Sequence, residues 1–229
     1  MTSFEFGKIH KGDCLELLPQ LPAGSVDAIV TDPPWPKCAC DLGWKGLEWW
    51  TRVVAEMERV LKGKGKIIVQ LGSHIDPRPF LSPFKLPFVH TCWLRYIPPG
   101  RGGNKLVQNI AYQLGYGFLP KGKRVMPCMC VAAWTPAVAL RRKHCGHPTP
   151  RNQVHVDWLL RTQVGPDRLV CDPFAGSGTT GIAALRTGAE FLGIEIDAEF
   201  CREGNERTVE ARQGLSITDA INNQQAIAF

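Results

Sequence analysis

The middle of this 229-residue chain lacks carboxylates. Between Asp76 and Asp157 there is no Asp or Glu, while twelve basic residues occur: Arg78, Lys85, Arg95, Arg101, Lys105, Lys121, Lys123, Arg124, Arg141, Arg142, Lys143 and Arg151. The remainder holds fifteen basic against twenty-one acidic residues, so the formal net charge of +6 conceals a basic centre between two acidic ends. Such a stretch has no carboxylates of its own to neutralise it and favours a polyanionic partner, with nucleic acid phosphates the first candidate.

Other absences narrow the field. No apolar run approaches the length of a membrane-spanning helix. The segment "MTSFEFGKIHKGD" has no apolar stretch of the kind a secretory signal needs, so none is expected. The nine cysteines are odd in number and sit in strand-like or helix-like runs, which fits reduced thiols in a cytosolic protein better than a disulfide framework. Cys38 and Cys40, and Cys128 and Cys130, are spaced C-x-C and not as usual zinc ligands. No metal is expected, even with "HCGH" at His144–His147. No repeat and no low-complexity linker divides the chain, so a single domain is expected.

What is present alternates. Strand-like segments at Lys8–His10, Val26–Asp32, Lys66–Gly72, Phe88–Ile97, Arg124–Trp134, "RLVCDPF" and "EFLGIEID" interleave with helical ones. The helices are expected at "CLELLPQL", Leu47–Gly63 with Gly63 as the stop, Val154–Gln163, Thr179–Gly188 and Ala198–Gln213, with a loose polar tail at 214–229. This alternation is the signature of an α/β protein with a parallel sheet. Trp49 and Trp50 fall on the apolar face of their helix and read as core.

Two stretches carry chemistry. "DPFAGSGTTG", Asp172–Gly181, follows a strand and opens a helix. Its small residues allow a ligand close to the backbone, and the helix N–H groups can meet polar ligand atoms. Gly176, Gly178 and Gly181 fit G-x-G-x-x-G. Glu195 ends the next strand, where a carboxylate suits two ribose hydroxyls. By spacing alone the ligand is a nucleoside cofactor, NAD-like or S-adenosylmethionine. The second stretch is "TDPPW". A turn would use Asp32 and one proline but has no need of Trp35. Asp13, in "GDC", reads equally as a ligand or as a helix N-cap.

Taken together, "DPFAGSGTT", "GIEID", "HPTP" and "TDPPW" resemble the β-class amino-methyltransferases that modify exocyclic amines in DNA. In that family the D-P-P-W/Y motif precedes F-x-G-x-G, as here, and the resemblance covers residues 8–72 and 145–212. It implies a Rossmann-like class I fold in permuted motif order, with a mostly parallel seven-stranded sheet and one antiparallel edge strand. It also implies S-adenosylmethionine as methyl donor. Asp32 would accept one hydrogen of the target amine and the Pro33 carbonyl the other. Pro33 and Pro34 would stiffen the loop, and Trp35 would stack on the base. An adenine N6 lone pair is delocalised into the ring; two acceptors off the ring plane would turn it towards the sulfonium methyl. The base must be flipped out of a duplex to reach such a pocket.

The resemblance assigns the methionine part of the cofactor to Asp172, Pro173, Phe174, Ala175, Gly176, Ser177, Gly178, Thr179 and Thr180. Glu195, with Ile196 beside it, would take the ribose, and Asp13 with Cys14 the adenine. His147 and Thr149 would lie near the methionine carboxylate. The family continues that motif as Gln-Lys-Pro; here it is Pro150-Arg151-Asn152, which suggests Arg151 as the replacement cation. The implied reaction is methylation of adenine N6 in DNA, with cytosine N4 or RNA adenine as alternatives. Asp32 leans towards adenine, because members acting on cytosine more often begin the motif with serine. An NAD-dependent oxidoreductase would leave the D-P-P-W loop and the basic middle unexplained. The domain is expected to span 1–213, with a small basic recognition insertion at 98–123. Arg101, Asn104 and Lys105 on "PPGRGGNK", together with Arg141 and Arg142, are expected to meet DNA, as a monomer or homodimer in a bacterial or phage-infected cytoplasm.

Overall fold

The chain opens with β1 (Lys8–Lys11), a short helix α1 (Cys14–Leu17) continued by a 3-10 turn, and β2 (Val26–Thr31). Then come α2 (Leu47–Val60), β3 (Leu61–Gly72), α3 (Arg78–Leu81), β4 (Phe88–Ile97), β5 (Gln108–Gly115) and β6 (Met129–Ala133). The last part holds α4 (Gln153–Leu159) with a π-type turn at Leu160–Val164, β7 (Leu169–Asp172), α5 (Thr179–Thr187), β8 (Glu190–Glu195) and α6 (Ala198–Ala226). The computed structural model describes residues 4–35, 44–73, 75–97, 108–116, 128–133 and 151–226. Cys38, Cys40, Arg101, Asn104, Lys105, Arg141, Arg142, His144, His147 and Thr149 lie outside them.

All the described strands form one sheet, in the order β1-β8-β7-β2-β3-β5-β4-β6. Its composition explains its burial. β2 is β-branched and apolar and is buried at every position, as a parallel strand covered on both faces should be. Ala28 and Val30 point into a core shared with α4, α5 and Cys201 of α6. Val26 and Ile29 point into the opposite core. There α2 presents a continuous stripe of Trp50, Val53, Val54, Met57 and Val60, the spacing of an amphipathic helix. The result is a three-layer α/β/α arrangement.

Four expectations need correction. Among the described residues the sheet has eight strands, not seven. The additional one, β5, lies within the segment assigned to a recognition insertion. It pairs antiparallel with β3 on one side and β4 on the other, so the antiparallel strand is interior, not at the edge. Its polar residues hid it: Asn109 and Gln113 read as loop residues but are buried in the sheet. Helix α2 ends at Val60, before Gly63, because Leu61 already pairs with Val26 in the sheet and joins the second core. The final helix does not stop at Gln213 but runs to Ala226.

Candidate active site

Strands β7 and β2 are neighbours whose chains leave in opposite directions. From β7 the path runs through α5 to β8, and from β2 through α2 to β3, on the other side of the sheet. Adjacent strands that diverge in this way leave a crevice at their carboxyl ends, where open α/β sheets place ligands. Asp172 ends β7 there, and Asp32 follows the last residue of β2.

One side chain joins the two motifs. Thr31 Oγ1 donates to Asp172 Oδ1 at 2.8 Å. Thr180 Oγ1 donates to Asp172 Oδ2 at 2.6 Å, and the Phe174 amide donates to Oδ1 at 3.1 Å. Asp172 is only 3% exposed. Burial pushes its carboxyl up to about 6, against the pull of these donors. All three donors come from the chain itself, so Asp172 ties together the end of β2, the glycine-rich loop and the start of α5.

That loop is shaped by close approach. Gly178 has φ +80°, and a Cβ there would lie 2.8 Å from the Gly204 carbonyl oxygen of α6. A Cβ on Gly181 would lie 2.7 Å from the Phe191 ring. Of the three glycines in the pattern, Gly178 and Gly181 thus let α6 and β8 pack against the loop and α5, while Gly176 has φ +49°. Arg207 of α6 donates to the Ser177 carbonyl. Ala175, Ser177, Thr179 and Thr180 are buried. Phe174 is held by aromatic packing, its ring centroid 5.8 Å from Trp49 and 6.3 Å from Trp50. Trp50 is fully buried, with Nε1 donating to the Phe80 carbonyl at 2.9 Å. Trp50 is a core residue, as expected, Trp49 packs half-buried against the same core, and through Phe174 both also brace the loop.

Glu195 stands across the loop. Its Oε2 accepts from the Gly176 amide at 2.8 Å and its Oε1 from the Asp197 amide at 2.9 Å. Burial raises its carboxyl above the ordinary value. Ile196 beside it is 59% exposed. The Glu195 carbonyl accepts from Gly12, which brings the β1–α1 turn alongside. There Asp13 caps α1, its Oδ1 accepting from the Leu15 amide at 2.9 Å, and its Oδ2 accepts from Lys45 Nζ at 3.0 Å. Burial alone would raise Asp13, but the Leu15 amide and the Lys45 ammonium outweigh it and hold the carboxyl low. Cys14 is buried and its thiol is pushed up to about 12, which keeps it protonated and unreactive.

Asp32 has a partner that sequence reasoning placed elsewhere. Arg151 grips it with two parallel hydrogen bonds, Nε to Oδ2 and Nη2 to Oδ1. The Arg151 guanidinium carbon also lies 4.7 Å from the Trp35 ring centroid. Burial raises the Asp32 carboxyl, and the Arg151 charge opposes that rise. Pro33 and Pro34 are buried. Arg151 directly precedes Asn152, whose Oδ1 caps α4 through the Val154 amide at 2.9 Å. The position expected to serve the cofactor's carboxylate therefore closes on Asp32.

The structure thus gathers Asp13, Asp32 to Trp35, Asp172 to Thr180, and Glu195 at the carboxyl ends of β1, β2, β7 and β8. Sequence reasoning missed Thr31, Lys45, Gly204 and Arg207. Only Thr31 left a signal, as a hydroxyl at the end of an apolar run. No group of three or more His, Cys, Asp or Glu suited to a metal exists among the described residues. Nor is any helix among them long and apolar enough to cross a membrane.

The sheet order and the glycine loop define a class, the S-adenosylmethionine-dependent methyltransferase fold. The M1.HpyAVI–SAM complex shares it, with a TM-score of 0.65, 22% identity and coverage of 87% of this chain and 98% of that one. So does the cytosine-N4-specific PvuII DNA methyltransferase, with a TM-score of 0.65, 18% identity and coverage of 91% and 92%. A DNA methylase family profile matches residues 127–206. Type II methyltransferase M2.MboI of Moraxella bovis is 34% identical over 94% of this chain and 90% of its own length. The DNA adenine methyltransferase YhdJ of Escherichia coli (strain K12) is 26% identical over 87% of this chain and 81% of its own. The chain belongs to the DNA methylase family, and its methyl donor is S-adenosylmethionine.

Proposed function

We propose that this protein transfers a methyl group from S-adenosylmethionine to the N6 amine of adenine in DNA. The observation that carries the reading is the Thr31–Asp172 hydrogen bond of 2.8 Å, which fixes the Asp32 loop beside the glycine-rich loop at the mouth of one crevice. A bound sulfonium supplies an electrophilic methyl group; the chain's task is to hold and aim the amine. Asp32 accepts one N6 hydrogen and the Pro33 carbonyl the other, in a loop that Pro34 keeps stiff. With both hydrogens held, the nitrogen lone pair turns out of the ring plane towards the methyl. Methyl transfer leaves the nitrogen positively charged, so its proton passes to Asp32 and on to water, and no strong base and no cysteine nucleophile is required. Trp35 stacks on the flipped base, a contact of roughly 1–3 kcal/mol by the scale of aromatic–base stacking.

The closeness of Asp13, Glu195 and the glycine-rich loop at the carboxyl ends of β1, β7 and β8 supports the following cofactor contacts. Glu195, with Ile196 beside it, takes the ribose hydroxyls, Asp13 meets the adenine edge, and the backbone from Phe174 to Gly178 meets the methionine part. Arg101, Asn104, Lys105, Arg141 and Arg142 meet the DNA, and His147 and Thr149 the methionine carboxylate. YhdJ, by its name an adenine enzyme, supports the choice of base, as does an aspartate at the head of the motif. The likeness to the cytosine-N4 enzyme keeps cytosine as the second reading. Mass spectrometry of nucleosides from DNA and RNA incubated with the protein and isotope-labelled cofactor tests this. Label in N6-methyldeoxyadenosine is expected; label only in N4-methyldeoxycytidine, or only in RNA, would overturn the reading.

A further inference from the structure

Arg151 makes two contacts that a flipped adenine also needs. Its guanidinium is flat, donates two N–H bonds to the Asp32 carboxylate, and sits 4.7 Å from the centroid of the Trp35 ring. An adenine held for methylation donates its N6 hydrogen to the same carboxylate and lays its flat ring on the same indole. Both groups are flat, both bring N–H donors, and both would take the same seat. Both cannot occupy it. The Arg151 and Asp32 side chains are only 14% and 25% exposed, so neither is a surface charge pairing by chance.

We infer that Arg151 is a stand-in for the target base, a gate that fills the seat between Asp32 and Trp35 and that an incoming base must displace. This rests on the proposed role of Asp32 and Trp35. Two physical consequences follow. A half-buried carboxylate that must wait for a base is costly to leave unpaired, and the guanidinium satisfies it meanwhile. The gate also selects: a base can replace the ion pair only if it brings an amine to Asp32. Thymine has none, so its entry would leave the Asp32 carboxylate unpaired. Once displaced, the guanidinium needs an anion, and a phosphate beside the flipped base and the cofactor's carboxylate offer the same chemistry.

The test begins with the free protein and needs no activity. Phenylglyoxal labelling, read by peptide mass spectrometry, reports how available the Arg151 guanidinium is. Saturating adenosine should raise its labelling rate several-fold in the wild type, and thymidine should not. A fall with adenosine would mean that Arg151 clamps the base instead of yielding to it, and an unchanged rate would mean that it does not leave; either overturns the inference. Asp32→Asn should raise the rate without any nucleoside. In calorimetry, Arg151→Met should bind adenosine several-fold more tightly than the wild type, with Arg151→Gln as the replacement should Met destabilise the fold; weaker binding overturns the gate. With adenosine saturating, adding S-adenosylhomocysteine or a short oligothymidylate distinguishes the two anions: whichever lowers the raised labelling rate contains the new partner. If neither does, the gate as described, with an anion to receive the displaced guanidinium, is wrong. Should these arms succeed while the wild type methylates no DNA, the gate stands for some other amine-bearing substrate and the proposed function fails separately.

Discussion

At the scale of single residues the site divides labour between two aspartates. Asp32 faces the proposed substrate seat, whereas Asp172 is held within the chain by Thr31, Thr180 and Phe174. Replacing Asp32 with Ala should therefore lower the methylation rate by about 10²–10³-fold, the scale of losing one placed acceptor for a developing charge. Affinity for S-adenosylmethionine, measured by calorimetry, should stay within a few-fold. Wholesale loss of cofactor binding would move Asp32 to the other half of the crevice. Asp172 should instead reveal itself in stability. Its carboxyl is raised from 3.8 to about 6 by burial, so the folded protein binds that proton more tightly than the unfolded chain does. Stability from this group is full below the unfolded value and lost as pH climbs through the folded one. Urea unfolding between pH 4 and about pH 7 should show that decline in the wild type and a shallower profile in Asp172→Asn. Parallel profiles would count against it.

Among elements, close approaches without side chains decide how the cofactor loop is held. The Gly178 Cα approaches Gly204 so closely that an added methyl would lie 2.8 Å from its carbonyl oxygen, at a φ of +80°. Gly178→Ala should destabilise the fold by about 1–3 kcal/mol, the range for a strained backbone position, and weaken cofactor binding by pushing α6 from the loop. Denaturant unfolding and calorimetry on one sample check both effects. At the other end of the sheet, Lys66 of β3 is fully buried and its Nζ donates to the Gln163 carbonyl in the turn after α4. Burial pulls its ammonium down to about 7 from 10.5. A cation with a depressed folded value releases its proton more easily in the native state, so stability should rise as pH climbs from about 7 towards 10. Lys66→Met should lose that rise and be the more stable of the two at neutral pH. A variant profile that still climbs would show that another group carries the effect.

Taken as a whole, the molecule offers little chain for reading a sequence of bases. Strand β5 claims Gln108–Gly115 for the sheet, leaving residues 98–107, 117–127 and 134–150 as separate short segments. None approaches the length at which a chain folds by itself, about 40 residues. On the proposed function the basic middle would supply phosphate attraction, which carries affinity but no sequence information. DNA affinity should therefore fall steeply with salt. Replacing Arg101 and Lys105, or Arg141 and Arg142, with Ala should flatten the log–log plot by about one unit for each phosphate that is no longer neutralised. The target should be a few base pairs around the adenine, which long-read sequencing of DNA methylated in vitro would map. A salt-independent interaction, or a strict target of six or more base pairs read by a monomer, would contradict this picture.

Much of the fold is legible from the residues alone. β-branched runs such as Val26–Thr31 declare buried parallel strands, and the glycine-rich stretch after Asp172 declares a tight strand-to-helix turn, because local sterics dictate both. The apolar run Phe88–Ile97 coincides with β4 from end to end. Three features are not legible, for one physical reason: each depends on groups far apart in the chain. Strand β5 is polar at Asn109 and Gln113, and only the gap between β3 and β4 makes it a strand. The close approach of Gly178 to Gly204 joins residues in different elements and leaves no mark in either. Arg151 stands 119 residues from Asp32. Its sequence context points to the cofactor, and only the packing of α4 beside β2 brings its guanidinium onto the carboxylate and indole of the D-P-P-W loop.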